Sequence, residues 1–345
     1  MKRLLNTLYV TTRGAYLSRE SQTVHVQVEQ ETLMRVPVQQ LASVVCIGNV
    51  AFSSGFLALC SEFGVGVSCL SESGRFQGRM EGPVRGNVLL RRQQYRAADD
   101  TRPASAIVAS IVGAKIANSR AVLLRAAREH TGQEAIEKLK EAATRLASSL
   151  RALDLETGTP VPLLRGIEGD AAHAYFSVFD HLILAQKEEF VFTVRSRRPP
   201  LDSVNALLSF LYTLLVHECV GALEAVGLDP AVGFLHTDRP GRPSLALDLA
   251  EEFRAPLADR LALSLINRRQ LQAKHFERTE SGGVWLNDKG RREVIQAWQE
   301  RKREELQHPF LGETCPCGLL PYVQALLLAR HLRGDMDAYP ALFWK

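Results

Sequence analysis

The sequence predicts an α+β chain of two domains, a small β-rich N-terminal domain over residues 1–82 followed by a larger all-α C-terminal domain over residues 83–345. Three observations predict it. Apolar and polar residues alternate through the first segment in the manner of strands, glycine and proline punctuate the chain at Gly82-Pro83-Val84-Arg85-Gly86, and beyond that point the apolar spacing becomes helical. With 345 residues and 46% hydrophobic content, the chain exceeds the usual size of one domain and can bury a core without disulfides.

The first strand runs from Thr7 to Thr11. Val24, Val26 and Val28 then face one way while Thr23, His25 and Gln27 face the other, and Thr32 to Val38, Ser43 to Ile47, Gly66 to Leu70 and Arg75 to Met80 follow with turn residues between them. A helix interrupts these strands, because Phe52, Phe56, Leu57, Leu59, Cys60 and Phe63 keep helical spacing behind the polar start Ser53-Ser54. In the second domain helices are expected over Asn87 to Ala98, Pro103 to His130, Glu134 to Leu153, Asp170 to Leu184, Val204 to Val226, Pro256 to Arg269, Asp288 to Leu306 and Leu319 to Leu332. Val204 to Val226 is the most apolar stretch, but His217 and Glu218 interrupt it within the roughly 20 residues a bilayer crossing requires, so it reads as a buried helix. The N-terminus lacks the apolar core and small-residue cleavage site of a signal peptide, so a cytoplasmic protein with no membrane partner is expected.

Formal net charge is only +4, yet the basic residues bunch: Arg91, Arg92 and Arg96; Arg195, Arg197 and Arg198; Arg268 and Arg269; Arg291 and Arg292; Arg301, Lys302 and Arg303. Nearly neutral bulk charge beside positive local faces suits a polyanion better than a small acidic metabolite. The bland alternative for any one cluster is a solvated helix face. The six cysteines, Cys46, Cys60, Cys69, Cys219, Cys315 and Cys317, form no regular framework and read as buried thiols of a reducing compartment. Cys315-Pro316-Cys317 with His308 upstream hints at zinc, but no second pair stands at finger spacing.

Three short islands hold the remaining chemistry. Glu168 lies in Gly166-Ile167-Glu168-Gly169, just before the apolar stripe that starts at Asp170; it either complements a positive helix end or sits where flanking glycines let a ligand approach. His236 follows the apolar Ala231 to Leu235 and precedes a turn-rich segment, so its ring can offer a neutral nitrogen to a metal, with Thr237 or Asp238 fixing the tautomer. Asp248 and Glu251 stand at i and i+3 and project from one face of a helix, although the same spacing resembles a reciprocal N-terminal cap, with Ala255-Pro256 ending the short helix. Two carboxylates and an imidazole together make a plausible hard-metal site of mixed oxygen and nitrogen ligation, which points to phosphodiester chemistry.

Longer strings carry a family likeness: Gly-Asn-Val-Leu-Leu-Arg-Arg-Gln-Gln-Tyr-Arg from Gly86, Gly-Ile-Glu-Gly at 166–169, Arg-Arg-Pro-Pro-Leu-Asp-Ser-Val-Asn-Ala-Leu-Leu-Ser-Phe at 197–210, Gly-Phe-Leu-His-Thr at 233–237 and Asp-Leu-Ala-Glu-Glu-Phe-Arg at 248–254. In that order and spacing they resemble the CRISPR-associated integrase family, the larger subunit of the spacer-acquisition complex, and within it the branch serving type I-C systems. The resemblance covers almost the whole chain. It implies that the α-helical domain is catalytic, that Glu168, His236 and Glu251 bind Mn²⁺ or Mg²⁺ with Asp248 as an auxiliary acid, and that Asp248 and Glu251 can exchange roles. It implies a metal-dependent endonuclease and integrase that joins 3′-hydroxyl ends of a short DNA fragment to the borders of a CRISPR repeat. Its partners would be double-stranded DNA, a second copy paired through the β-rich domain, and a small ferredoxin-like subunit in a heterohexamer. Arg197, Arg198, Arg268, Arg269 and Arg291 are the candidates for tracking the DNA backbone. Exchange of one phosphodiester for another needs no nucleotide fuel, consistent with a sequence that carries no Walker-type glycine loop. Two rival readings are a nuclease of branched DNA without integration, and a non-catalytic DNA-binding scaffold whose acidic residues only cap helices.

Overall fold

The alternation of the first segment resolves into two four-stranded sheets. A computed structural model describes residues 7–29, 31–41, 43–71, 76–80, 88–153, 159–280 and 282–344. In chain order its first strands are β1 (Thr7–Val10), β2 (Ala15–Glu20), β3 (Thr23–Val28), β4 (Glu31–Pro37), β5 (Ser43–Ile47), β6 (Val50–Phe52), β7 (Gly66–Leu70) and β8 (Phe76–Met80), with helix α1 (Ser54–Phe63) between β6 and β7. One sheet has the order β1-β5-β7-β8 and the other β4-β3-β2-β6. β2 and β6 were not expected: β6 is three residues long and β2 ends in Arg19-Glu20, too little for period-two patterning to register. Ser53 caps α1 by accepting from the Phe56 amide at 3.1 Å, and Gly64 at φ 68° closes it. On β3, Val24 and Val26 are buried as expected, but His25 on the opposite face is buried too, 3.0 Å from the Glu20 carboxylate.

Strand β5 joins the two halves. Val44 and Cys46 face the sheet-and-α1 core, whereas Val45 and Ile47 face the helical core, together with Leu70 of β7. Lys302 Nζ reaches Glu218 Oε1 at 2.6 Å and Tyr9 Oη donates to the same oxygen at 3.4 Å, so strand β1 is also tied to the helices by polar contacts. The proposed boundary at 82–86 lies outside the described residues.

The helices are α2 (Val88–Asp99), α3 (Thr101–Glu129), α4 (Gln133–Ala152), α5 (Val161–Ser177), α6 (Ser203–Val226), α7 (Ser244–Glu251), α8 (Arg260–Asn267), α9 (Asp288–Arg303) and α10 (Leu320–Leu332). Two expectations are corrected here. The second half is not all-α: it carries two antiparallel hairpins, β9 (Phe276–Arg278) with β10 (Val284–Leu286) and β11 (Glu305–Gln307) with β12 (Thr314–Pro316), each strand too short to signal itself. Helix α5 begins at Val161 rather than Asp170, because Pro162 occupies its first turn, where a missing N–H costs nothing. Gly166 and Gly169, which suggested a turn, are inside it. Helices α3 and α6 are long and apolar enough to cross a membrane by composition, and 67% of the apolar window of each is buried against the rest of the chain.

Candidate metal centre

The site assembles at the meeting of α3, α5, α7 and the loop before α7. That loop, 228–243, is fastened from behind by α2: Gln94 Nε2 donates to the carbonyls of Asp229 (2.8 Å) and Val232 (2.9 Å), its Oε1 accepts from the Asp229 amide, and Tyr95 Oη donates to Asp229 Oδ2. Arg165 of α5, one turn before Glu168, donates to the Leu235 carbonyl at 2.6 Å and thereby brings α5 beside His236.

Asp248 of α7 is fully buried, and its carboxylate accepts from the amides of Phe234 (2.6 Å), Leu235 (2.9 Å) and His236 (2.9 Å). Its Oδ1 also accepts from His236 Nδ1 at 2.6 Å. Oδ2 is therefore committed to the 234–235 backbone and Oδ1 to His236, whose Nε2 keeps the lone pair. Gly233 makes this cradle possible: a Cβ there would stand 2.8 Å from Ser244 and 2.9 Å from Asp248 Oδ2. The expectation that Thr237 or Asp238 holds the ring is corrected, since Asp248 does. The cap reading of Asp248 and Glu251 is corrected as well. Asp248 lies inside α7 and Glu251 at its C-terminal end, and the chain continues through a π-helical turn at Arg254–Asp259 into α8 instead of stopping at Ala255-Pro256.

Glu168 is half-buried inside α5, far from the positive end it was thought to complement. It and the buried Glu251 share one ammonium: Lys115 of α3 pairs with Glu168 Oε1 and stands 2.6 Å from Glu251 Oε2. Arg254 pairs with Glu251 Oε1 at 3.1 Å. Burial by itself would raise the Glu251 carboxyl, but Arg254, Lys115 and His236 outweigh it and hold it down to about 2. Glu251 Oε2 is buried without a hydrogen-bond donor aligned on it.

No three acidic, histidine or cysteine side chains among the described residues are close enough to hold an ion as they stand. The Lys115 ammonium instead supplies positive charge between the two carboxylates. The donor set nevertheless fits a hard divalent cation: two carboxylates converge on one positive charge, one of their oxygens lacks an aligned donor, and His236 is held in the tautomer that leaves Nε2 free to ligate. Asp248, with every oxygen already bonded, does not have that freedom. At the other motif considered, His308 is committed to Gln324 and to two backbone amides, so it does not join Cys315 and Cys317.

Beside Lys115 a cleft runs along α5, lined by Ala171, Ala172, Tyr175, Tyr212, Arg197 and Arg254. Asp259 forms its floor, accepting from Tyr212 Oη at 2.7 Å and Tyr175 Oη at 3.1 Å; burial lifts its carboxyl to about 6 against these donors. The Arg254 and Arg195 guanidiniums lie 4.7 and 5.3 Å from the Tyr212 ring centroid. Of the arginines expected on DNA, Arg197 lines this cleft, Arg198 is exposed next to it in sequence, and Arg268 and Arg269 are exposed at the end of α8. Arg291 is corrected: it is buried, donating to the Leu286 carbonyl and pairing with Asp288. Lys115, Arg165 and Arg254 escaped the sequence reading. Lys115 is the one charged residue in the mostly apolar run Ile107 to Ile116, and a lone cation there was the available signal.

Comparison with known proteins shows what the chain as a whole is similar to. The profile of the family described as CRISPR associated protein Cas1 matches residues 8–300. A protein of Rhodospirillum rubrum named CRISPR-associated endonuclease Cas1 is 54% identical over 348 residues, covering 100% of both chains. One of the same name from Chlorobaculum tepidum is 52% identical over 345 residues, again covering 100% of both. Among solved structures, a Cas1 protein from Thermotoga maritima superposes with a TM-score of 0.80 at 26% identity, covering 97% of this chain and 99% of its own. A casposase bound to its integration product shares the fold at a TM-score of 0.80 and 23% identity, covering 99% and 94%.

Proposed function

Because this chain belongs to the Cas1 family of CRISPR-associated proteins, we propose that it is a divalent-metal-dependent DNA integrase and endonuclease of CRISPR adaptation. It joins the 3′-hydroxyl ends of a short DNA fragment to phosphates at the borders of a repeat. The observation that carries the reading is the convergence of Glu168 and Glu251 on a single positive charge beside an imidazole oriented by a saturated carboxylate.

In this reading Glu168, His236 and Glu251 hold Mn²⁺ or Mg²⁺, and Asp248 acts through His236. The ion, when bound, would stabilise charge on the attacked phosphate and ease ionisation of the attacking hydroxyl. The chain's own residues do the rest. Arg254 and Arg197 line the cleft beside the carboxylates and favour a phosphate there, while Lys115 draws the two carboxylates together before an ion binds. Gly166 and Gly169 leave open space where a Cβ would stand on the exposed face of α5. Each glycine costs a helix interior about 1 kcal/mol relative to alanine, and close approach of a DNA backbone to Glu168 accounts for that cost. Pairing of two copies through the β-rich domain, assembly with a small ferredoxin-like subunit as a heterohexamer, action in the cytoplasm and membership of the type I-C branch belong to the same reading. Tyr16, Leu33 and Met34, exposed on the sheet whose edge is β4, support the pairing.

The test supplies a short duplex with free 3′-hydroxyls, a target duplex carrying the repeat, and Mn²⁺. Covalently joined fragment and target are expected, and a chelator should remove them. Nicked target with no joined product would favour hydrolysis of DNA alone, and DNA binding with no product under any metal would favour the scaffold reading.

A further inference from the structure

The residue after Glu251 is also an acid, and nothing in the site described so far uses it. Glu252 is fully buried, and its carboxylate is surrounded by donors from the far end of the chain. Tyr339 Oη donates to Oε1 at 2.6 Å; the Leu342 amide and Gln324 Nε2 donate to Oε2 at 2.7 and 2.9 Å. The sense of this network is fixed from its outer end. His308 Nδ1 accepts from the Phe310 and Leu311 amides, so its proton is on Nε2 and is donated to Gln324 Oε1 at 2.9 Å, which aims the Gln324 amide nitrogen at Glu252.

The same segment is tied to α3. Asn118 Nδ2 donates to the carbonyls of both Glu252 and Leu342 at 2.8 Å, and its Oδ1 accepts from the Trp344 amide at 2.7 Å. Asn118 lies one helical turn from Lys115, which holds the Glu251 side chain. One turn of α3 thus grips Glu251 by its carboxylate and Glu252 by its carbonyl, and residues 339–344 close over Glu252. Arg260 stacking on Trp344, 4.5 Å from the ring centroid, pins the outer edge. Among the described residues, the three groups that donate to the Glu252 carboxylate lie beyond residue 300, where the family match ends.

We propose that Glu252 is a positioning residue and that the C-terminal segment 339–344 is a strap which, through Glu252, sets where the Glu251 carboxylate stands. The proposal rests on Glu251 being a metal ligand. A buried polar network with every member satisfied is stiff, and partners that orient a ligand typically govern metal affinity by 10–100-fold.

Mn²⁺ affinity, followed by the loss of the free-ion electron paramagnetic resonance signal, tests it on the full-length chain. Tyr339→Phe and Gln324→Met each delete a polar end while keeping bulk. Each should weaken Mn²⁺ binding roughly 10-fold, whereas Tyr9→Phe, which deletes a part-buried hydroxyl bonded to Glu218, should not. Unfolding temperatures measured without metal accompany each variant. A folded Tyr339→Phe or Gln324→Met that binds Mn²⁺ as tightly as the parent overturns the proposal, however far its unfolding temperature falls. Should neither variant fold, the parent decides: by reciprocity Mn²⁺ must slow hydrogen exchange of the Leu342 amide, and unchanged exchange overturns the strap. A parent that binds no Mn²⁺, or a Glu251→Ala that binds it equally well, refutes the metal reading instead.

Discussion

Glu168→Ala should lower Mn²⁺-dependent strand transfer roughly 10³-fold, the several kcal/mol that a metal's charge contributes at a phosphoryl centre. DNA affinity should change little. The separation follows from where the charges are. Glu168 is half-buried on α5, its carboxylate paired with Lys115, and α5 is docked through Arg165 and its own apolar face, so the fold does not depend on this carboxylate. In the proposed reading other residues meet the phosphates: Arg197 and Arg254 line the cleft and Arg198 is exposed next to Arg197 in sequence. Removing an acid next to these cations, if anything, strengthens their pull on DNA. Gel-shift affinity and product yield on the same preparation provide the check. Parent-level product would remove Glu168 from the chemistry, and a parallel collapse of binding would make it structural.

Lys115→Met should destabilise the metal-free protein by roughly 3–5 kcal/mol, the usual consequence of removing one partner from a buried ion pair. Lys115 and Glu251 are almost wholly shielded from water, so solvent does not screen the loss. Divalent cation should then restore much of the lost stability, because an ion can take the position the ammonium leaves. The unfolding midpoint is measured with and without Mn²⁺ in parent and variant. A variant as stable as the parent without metal would mean that Lys115 does not neutralise the pair.

The same substitution has a signed pH consequence. Burial would raise Glu251, but Arg254, Lys115 and His236 hold it down to about 2, so its ionised form stabilises the fold above the ordinary carboxyl value of 4.5. That contribution is lost as pH falls from 4.5 through about 2. With Lys115 gone the folded-state value rises, and acid unfolding of the variant should begin at higher pH.

Elements with strong, long periodicity were legible: α3, α4 and α6 fall within a residue or two of their expected bounds, and β5 and β7 match theirs. Short pieces were not, because three residues of β6, β9 or β11 carry no measurable period. Glycine misled at α5. Gly166 and Gly169 read as a boundary on local propensity, whereas tertiary packing of Leu164, Ala171 and Ala174 overrides two poor helix formers. For the site, residue types and order singled out Glu168, His236, Asp248 and Glu251 but not the contacts among them. That Asp248 would be consumed by three amides and a ring nitrogen depends on how the 233–236 loop folds over α7, a tertiary fact. Lys115 and Asn118 lie more than a hundred positions from Glu251 and Glu252, and no local pattern connects them.

Anomalous diffraction from crystals grown with Mn²⁺ tests the centre most directly. A single strong peak should lie among Glu168, His236 Nε2 and Glu251, with Asp248 still bonded to His236 Nδ1 and the Lys115 ammonium displaced from between the carboxylates. A manganese peak elsewhere, with Lys115 still bridging Glu168 and Glu251, would contradict the assignment.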